Sequence, residues 1–185
     1  MRIVAGTHRT RRLLGGGAKG IRPTVDRARE SIFNALGQRC HGLRVMDLFS
    51  GTGALALEAL SRGAHFALLV DNSVESVRLC KQNVSNLGFK AQSEIWHMDA
   101  FLALSRCKME GKSFEWVFAD PPYAFRNWEE LWLKILEEEV LSPGGKMILE
   151  RSKRCILPAL PKAFSLQKEM KFGDTVVSIL LHSAS

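Results

Sequence analysis

Apolar runs of strand length alternate with amphipathic helical stretches along most of this chain. Val25, Ala28, Ile32 and Leu36 recur at helical spacing behind Pro23, which suits a helix start, and Gly37 suits its stop. Leu43–Phe49 reads as a strand broken by Ser50-Gly51-Thr52-Gly53, and Ala54–Arg62 is a run of helix formers ending at Gly63. Phe66–Val70 is a second strand closed by Asp71. Ser73 then N-caps a helix whose Val77, Cys80, Val84 and Leu87 share one face before Gly88. A third strand near Ser93–Trp96 leads to Asp99, a helix covers roughly 100–108, and Phe114–Ala119 forms a strand ending at Asp120. Trp128–Val140 reads as a helix with Leu131, Ile135 and Leu136 inward and Glu137-Glu138-Glu139 on a solvated face. Ser142-Pro143-Gly144-Gly145 reads as a turn before a strand at Lys146–Glu150. Phe164–Phe172 and Thr175–Leu181, joined at Gly173-Asp174, read as a hairpin.

Strands alternating with helices predict an α/β fold with a mainly parallel, doubly wound sheet, to which the closing hairpin adds an antiparallel strand at or near an edge. With 185 residues, the chain is expected to form one domain over 1–185, with 1–22 as a basic N-terminal arm. An apolar fraction of 46% and a charged fraction of 24% suit a globular protein, and no apolar run has the length of a membrane helix. No secretory signal is evident, so a cytoplasmic protein with reduced cysteines is expected. Cys40, Cys80, Cys107 and Cys155 form no C-x-x-C pair, and His8, His41, His65, His97 and His182 show no ligand spacing. No metal site is therefore expected.

Charge changes the picture more than composition does. Lys and Arg number 26 against 19 Asp and Glu, a net charge of +7. Residues 1–22 hold Arg2, Arg9, Arg11, Arg12, Lys19 and Arg22 with no acid, so six of those seven charges fall on the arm. Such asymmetry points to a polyanion, nucleic acid ahead of membrane. The arm also carries the apolar pairs Ile3-Val4 and Leu13-Leu14, a Gly15-Gly16-Gly17 connector, and leads into a helix start bearing Arg22, Arg27 and Arg29. The RNA-binding candidates are thus Arg2, Arg9, Arg11, Arg12, Arg22, Arg27 and Arg29.

The candidate chemistry lies at strand ends, where open α/β sheets bind ligands. Asp47-Leu48-Phe49-Ser50-Gly51-Thr52-Gly53 is a strand-to-helix turn with only the first half of a dinucleotide G-x-G-x-x-G. An acid four residues before Gly51 opposes a pyrophosphate and suits a cationic amine. S-adenosylmethionine has such an amine and no phosphate. Asp71 could accept from ribose hydroxyls and Asp99 from an adenine amino group. The expected cofactor set is Asp47, Phe49, Ser50, Gly51, Gly53, Asp71, Asn72, Asp99 and Ala100. Asp120-Pro121-Pro122-Tyr123 then brings a carboxylate, two rigid prolines and an aromatic ring to one strand end. Trp128 and Trp132, four apart, read as core or groove wall.

Taken together, the D-x-F-x-G-x-G turn, the strand-end acids and D-P-P-Y resemble class I methyltransferases acting on amino nitrogens. Arg2-Ile3-Val4-Ala5-Gly6, Arg12-Leu13, the segment Arg22-Pro23-Thr24-Val25-Asp26-Arg27-Ala28-Arg29-Glu30-Ser31-Ile32-Phe33-Asn34 and Ser61-Arg62-Gly63-Ala64 resemble, more narrowly, the RsmD-type 16S rRNA guanine-N2 methyltransferases of bacteria. The chain departs from that pattern at Asp71, where the family often has Glu, at Ser73 in place of Asp, and at Ala5-Gly6 in place of Gly-Gly. The resemblance implies a Rossmann-like, mainly parallel seven-stranded sheet with helices on both faces. It implies methylation of a guanine N2 in 16S rRNA or the small ribosomal subunit, with no membrane partner and a monomer as the simplest state. Asp120 and the Pro121 carbonyl would accept the amine hydrogens, held by the rigid Pro121-Pro122 segment, and Tyr123 would stack on the base, worth about 1–3 kcal/mol. The target must be unpaired or flipped out.

Other readings fit parts of the sequence. An adenine-N6 DNA or RNA methyltransferase shares D-P-P-Y, and so does a protein glutamine methyltransferase, which the basic arm disfavours. A nucleotide-binding oxidoreductase would need the full glycine motif, and a non-catalytic RNA-binding module leaves Asp120 without a purpose.

Overall fold

The computed structural model describes residues 1–15, 23–122 and 124–183. The expectations for Arg22, Tyr123, Lys19 and the connector beyond Gly15 fall outside these. The elements follow the predicted order: α1 (Pro23–Leu36), β1 (Arg44–Asp47), α2 (Ala54–Ser61), β2 (Phe66–Asp71), α3 (Val74–Leu87), β3 (Ser93–His97), α4 (Ala100–Met109), β4 (Phe114–Ala119), α5 (Trp128–Glu137), β5 (Leu141–Ser152), β6 (Phe164–Phe172) and β7 (Thr175–His182).

Local chemistry sets the helix ends. Ser73 Oγ accepts from the Ser76 N–H at the start of α3, and at its end Gly88 is left-handed while the Phe89 N–H reaches the Val84 carbonyl. This is the Schellman closure that glycine permits without a Cβ penalty. Gly37 closes α1 the same way, with the Gln38 N–H donating to the Phe33 carbonyl at 2.8 Å.

The strands form one seven-stranded sheet in the order β3-β2-β1-β4-β5-β7-β6. β1 to β5 run parallel, and β7 runs antiparallel to β5 and β6, between them. The antiparallel strand thus lies one position in from the edge. Alternation along the central strands separates two cores. Val45, Phe118 and Ile148 face α1, α2 and α3. Met46, Val117 and Leu149 face α4 and α5.

Two details differ from the sequence pattern. Ser142-Pro143-Gly144-Gly145 is not a turn ahead of a strand but an irregularity inside β5, where the register against β4 shifts between Phe114 and Trp116. Proline has no N–H for the ladder, so a bulge is where a strand can carry it, and a Cβ on Gly145 would meet the Ser142 carbonyl oxygen at 2.7 Å. α5 also ends earlier than expected, at Glu137. Leu136 is half-buried, and Trp132 fills the core in its place.

The arm is not a tail. Arg2 and Arg12 form an antiparallel bridge, and Ile3 and Leu13 are buried in the core beside α1 and α2. Glu58 of α2, fully buried, fastens it. Its carboxylate accepts from the Val4 and Ala5 N–H groups at 2.8 and 2.9 Å and pairs with Arg29 Nε at 3.3 Å and Arg62 Nε at 2.8 Å. A Cβ on Gly6 would fall 1.8 Å from the Ser61 carbonyl oxygen, so the arm runs against α2 only because Gly6 has none.

This corrects the reading of Arg29 as an RNA contact. The side chain is 3% exposed and is used up on Glu58, Asp26 and the Arg2 carbonyl. A phosphate could not reach it without breaking a buried ion cluster. Arg2, Arg9, Arg11, Arg12 and Arg27 are all exposed.

Removing Glu58 would leave Arg62 charged, buried and without a carboxylate, and Arg29 with Asp26 alone. Glu58→Ala should therefore cost about 3–5 kcal/mol in denaturant unfolding and should speed proteolysis within residues 1–15. Unchanged stability would show that the cluster does not hold the arm.

Candidate active site

The sheet itself selects the site. β1 is followed by β2 on one side and neighbours β4 on the other, so the connections diverge at the β1/β4 boundary and leave a crevice at the strand C-terminal ends. Asp47 ends β1, and Asp120 follows β4 directly. Two adjoining cavities open there. One, of ≈ 290 Å³, is lined by Asp47, Phe49, Ser50, Gly51, Asp120 and Glu150, with Met1, Phe172 and Thr175 among its walls. The other, of ≈ 470 Å³, is lined by Phe49, Gly51, Asp71, Asn72, Asp99, Ala100, Asp120, Pro121, Pro122 and Glu150. The predicted cofactor residues and the described part of the predicted catalytic motif are thus brought together around one crevice.

Gly53 is the exception among the cofactor candidates, for it lines neither cavity. Its φ is +80°, and a Cβ there would meet Leu69 Cδ2 at 2.8 Å, so it lets the loop and α2 pack onto β2. Gly51 also has positive φ, but open space lies where its Cβ would be. Ser50 supports the turn, its buried hydroxyl donating to the Asp47 and Val70 carbonyls at 2.9 Å.

The acids differ in how far the chain satisfies them. Asp71 accepts from the Gly51 and Ser73 N–H groups, each at 2.8 Å, which fixes the glycine turn and leaves lone pairs on both oxygens. Asp99 accepts from the Phe101 N–H and caps α4. Asp47 is 2% exposed, and its Oδ1 has no hydrogen-bond partner among the described residues. Burial pushes its carboxyl up to about 7; the backbone N–H groups of Ala56 and Phe49 pull it back, and Asp71 adds repulsion. Asp120 opens onto the crevice yet is pushed up to about 8, first by desolvation and then by the charges of Glu150 and Asp47. Glu150 is raised as well, by desolvation. A crevice lined by five acids, one with an orphaned buried oxygen, suits a ligand that brings positive charge and N–H or O–H donors.

The Pro121-Pro122 segment is asymmetric. The Pro122 carbonyl accepts from the Phe125 N–H at 2.8 Å, whereas among the described residues no backbone N–H takes the Pro121 carbonyl. Pro121 is buried and Pro122 exposed. Phe125 packs edge-on against Phe49 and Trp128, joining the proline loop to the glycine turn. Sequence reasoning missed Glu150, Met1, Phe172 and Thr175. Glu150 carried the signal used for the other acids, a carboxylate closing an apolar run; the other three carried none.

Outside this crevice the chemistry is sparse. Among the described residues no group of acids, histidines and cysteines could hold a metal ion, and no helix is long and apolar enough to cross a membrane. All four cysteines are free, and burial pushes the Cys40, Cys80 and Cys107 thiols up to about 12, so they are inert packing groups.

Known proteins are similar to this chain in sequence and fold. The Ribosomal RNA small subunit methyltransferase D of Escherichia coli K12 is 32% identical, with 100% of this chain and 91% of that protein covered. Its namesake in Haemophilus influenzae is 31% identical over 98% and 93%. The solved structure of yhhF from Escherichia coli superposes with a TM-score of 0.86 at 26% identity, covering 100% of this chain and 99% of that one. The profile of the family described as Conserved hypothetical protein 95 matches residues 1–181. With the fold, the crevice and these relatives in agreement, the chain belongs to the Conserved hypothetical protein 95 family, the RsmD-type methyltransferases.

Proposed function

We propose that this chain is a single-domain, monomeric enzyme of the bacterial cytoplasm that methylates the exocyclic N2 of a guanine in 16S rRNA, free or in the small ribosomal subunit, using S-adenosylmethionine. The observation that carries this reading is the meeting of Asp120 and the Pro121 carbonyl, unclaimed among the described residues, with the acid-lined crevice at the β1/β4 boundary. The family relatives named for small-subunit rRNA support the substrate class.

S-adenosylmethionine, when bound, supplies a methyl group already activated by attachment to a sulfonium. The chain's own residues do the rest. Asp47 would hold the ammonium of the amino-acid end with its orphaned Oδ1, Asp71 the ribose hydroxyls and Asp99 the adenine amino group. Asn72 and Ala100 would wall the adenosine side, and Phe49, Ser50 and Gly51 would form the turn over the cofactor.

Guanine N2 is a weak nucleophile, because its lone pair is delocalised into the ring. Asp120 and the Pro121 carbonyl would each accept one of its hydrogens. Those bonds strengthen as positive charge grows on nitrogen, which lowers the barrier electrostatically. The fixed φ of Pro121 and Pro122 keeps that carbonyl in place. Asp120 or water then takes the proton. Tyr123 would stack on the base. Arg2, Arg9, Arg11, Arg12, Arg22 and Arg27 would contact phosphates and set register without reading bases.

Three outcomes follow. Asp120→Asn should lower kcat by about 10²–10³ or more while S-adenosylmethionine binding, read by calorimetry, is retained. Collapse of cofactor affinity instead would reassign Asp120. In the same assay, labelled N6-methyladenine rather than N2-methylguanine in digested ribosomal RNA would replace the substrate assignment.

The second outcome concerns pH. The Asp47 and Asp120 carboxyls are raised in the fold, so their contribution to stability is complete at low pH and is lost as pH rises through about 7 and about 8. A cationic cofactor offsets that loss. The rise in Tm on adding S-adenosylmethionine should therefore be larger on the alkaline side of this window than on the acid side. An equal rise on both sides would mean that these acids do not meet the cofactor's charge.

Third, replacing Arg9, Arg11 and Arg12 by Gln should weaken RNA binding and flatten log Kd against log salt by about two units, at about 0.7 per single-strand phosphate contact. An unchanged slope would remove the arm from the RNA interface.

A further inference from the structure

Glu150 has no task in the mechanism above, yet it stands beside Asp120. Ala119 and Leu149 are register partners in the parallel pair β4 and β5, so the next residue on each strand is one of these two acids. Both line the two crevice cavities. Both also line a recess of ≈ 20 Å³ that reaches the proline loop at Phe125 and Trp128. Glu150 is the strongest charge acting on Asp120. Among the described residues no hydrogen bond or ion pair within the chain satisfies either carboxylate.

An unpaired acid this close to another is costly in a folded protein unless a ligand supplies donors. Three further groups in the same place have an atom without a partner, among them the buried Nε of Arg151, whose outer nitrogen pairs with Glu169. Asp47, 2% exposed, lines the cavity with an orphaned Oδ1. Trp128, 4% exposed, lines the recess and has no acceptor for its Nε1–H.

The amine being methylated does not require Glu150, because Asp120 and the Pro121 carbonyl already offer one acceptor for each hydrogen. Guanine, however, presents a third donor next to its amine, the N1–H, with an acceptor, O6, beyond it. Adenine presents a bare lone pair at N1. We propose that Glu150 accepts the N1–H of the target base and is the residue that restricts the Asp120-Pro121-Pro122 site to guanine. An adenine entering with its amine on Asp120 would bring its N1 lone pair against a carboxylate, and an unpaired acceptor facing an acceptor is strongly rejected. Ionisation of Glu150 is resisted by its burial, with Asp120 and Asp47 lining the same cavity. The cationic cofactor of the proposed function, on which this inference rests, counters that resistance. The orphaned Trp128 Nε1–H is the kind of donor that O6 would satisfy.

The test uses the full chain and small-subunit RNA, on the alkaline side of both carboxyl titrations. The wild type first locates its N2-methylguanine; if none forms, the proposed function fails, and with it the ground for this inference. The RNA is then rebuilt by ligation with 2-aminopurine at that nucleotide. This base keeps the 2-amino group and lacks both the N1–H and O6, so the change in preference caused by Glu150→Gln, rather than the wild-type preference alone, reads the part played by Glu150.

The wild type should favour guanine by about 10⁴ in kcat/KM, the discrimination reached when a site built for a donor meets an analogue without it. Glu150→Gln is close to isosteric, and its amide can turn an N–H toward a bare N1. It should lower kcat/KM on guanine and narrow the preference at least tenfold, with Tm not lowered. Glu150→Ala should lose activity on guanine and narrow the preference too. A merely structural role would depress both RNAs alike. A wild-type preference retained in Glu150→Gln, or equal turnover of the two RNAs by the wild type, would overturn the assignment.

Discussion

The chain depends on one buried carboxylate to fix where it begins. Glu58 gathers two arginines and two backbone N–H groups around a fully buried side chain. Taking any of these charges out of water alone would be prohibitive; together they satisfy one another. The arrangement joins the arm, α1 and α2 into one body. It brings Met1 to the wall of the crevice, so the cationic surface and the reactive end of the sheet are rigidly related.

The molecule segregates charge. Its net positive charge lies on the arm, whereas the crevice gathers Asp47, Asp71, Asp99, Asp120 and Glu150. Repulsion among them makes Asp47 and Asp120 harder to ionise, so the crevice favours a cation and opposes a phosphate backbone. The RNA backbone is suited to the rim and the arm, and only an extruded, uncharged base to the interior. One fold can therefore attract a polyanion and still keep its reaction centre negative.

Much of this was legible in the sequence because the determinants are local. Strand and helix periods, the Ser73 cap and the glycine stops gave nearly every element, and the strand-end acids gave most of the crevice. Arg29 was misread because its partner, Glu58, lies 29 residues away on another helix, and no helical spacing reveals that pair. Glu150 was overlooked, although its strand end carried the same mark as the others; its meaning came from the β4/β5 register, which places it beside Asp120. The Ser142–Gly145 stretch has turn composition and is nonetheless part of a strand, because a bulge and a turn use the same residues for the same backbone reasons. The arm's charge was evident, but its docking depends on a tertiary contact at Gly6 too close for any side chain.

The position of β7 has a consequence for how the chain is made. This strand lies between β5 and β6 and is the last of the seven to leave the ribosome. Until residues 175–182 emerge, the long β5 presents an unpaired edge, and β6 has nothing in the sheet to pair with. The nascent protein therefore holds this sheet edge exposed between the emergence of β5 and that of β7, a template for pairing with other chains. It closes only when the final hairpin folds back, so the sheet and the crevice wall formed by Phe172 and Thr175 are completed in the same late event.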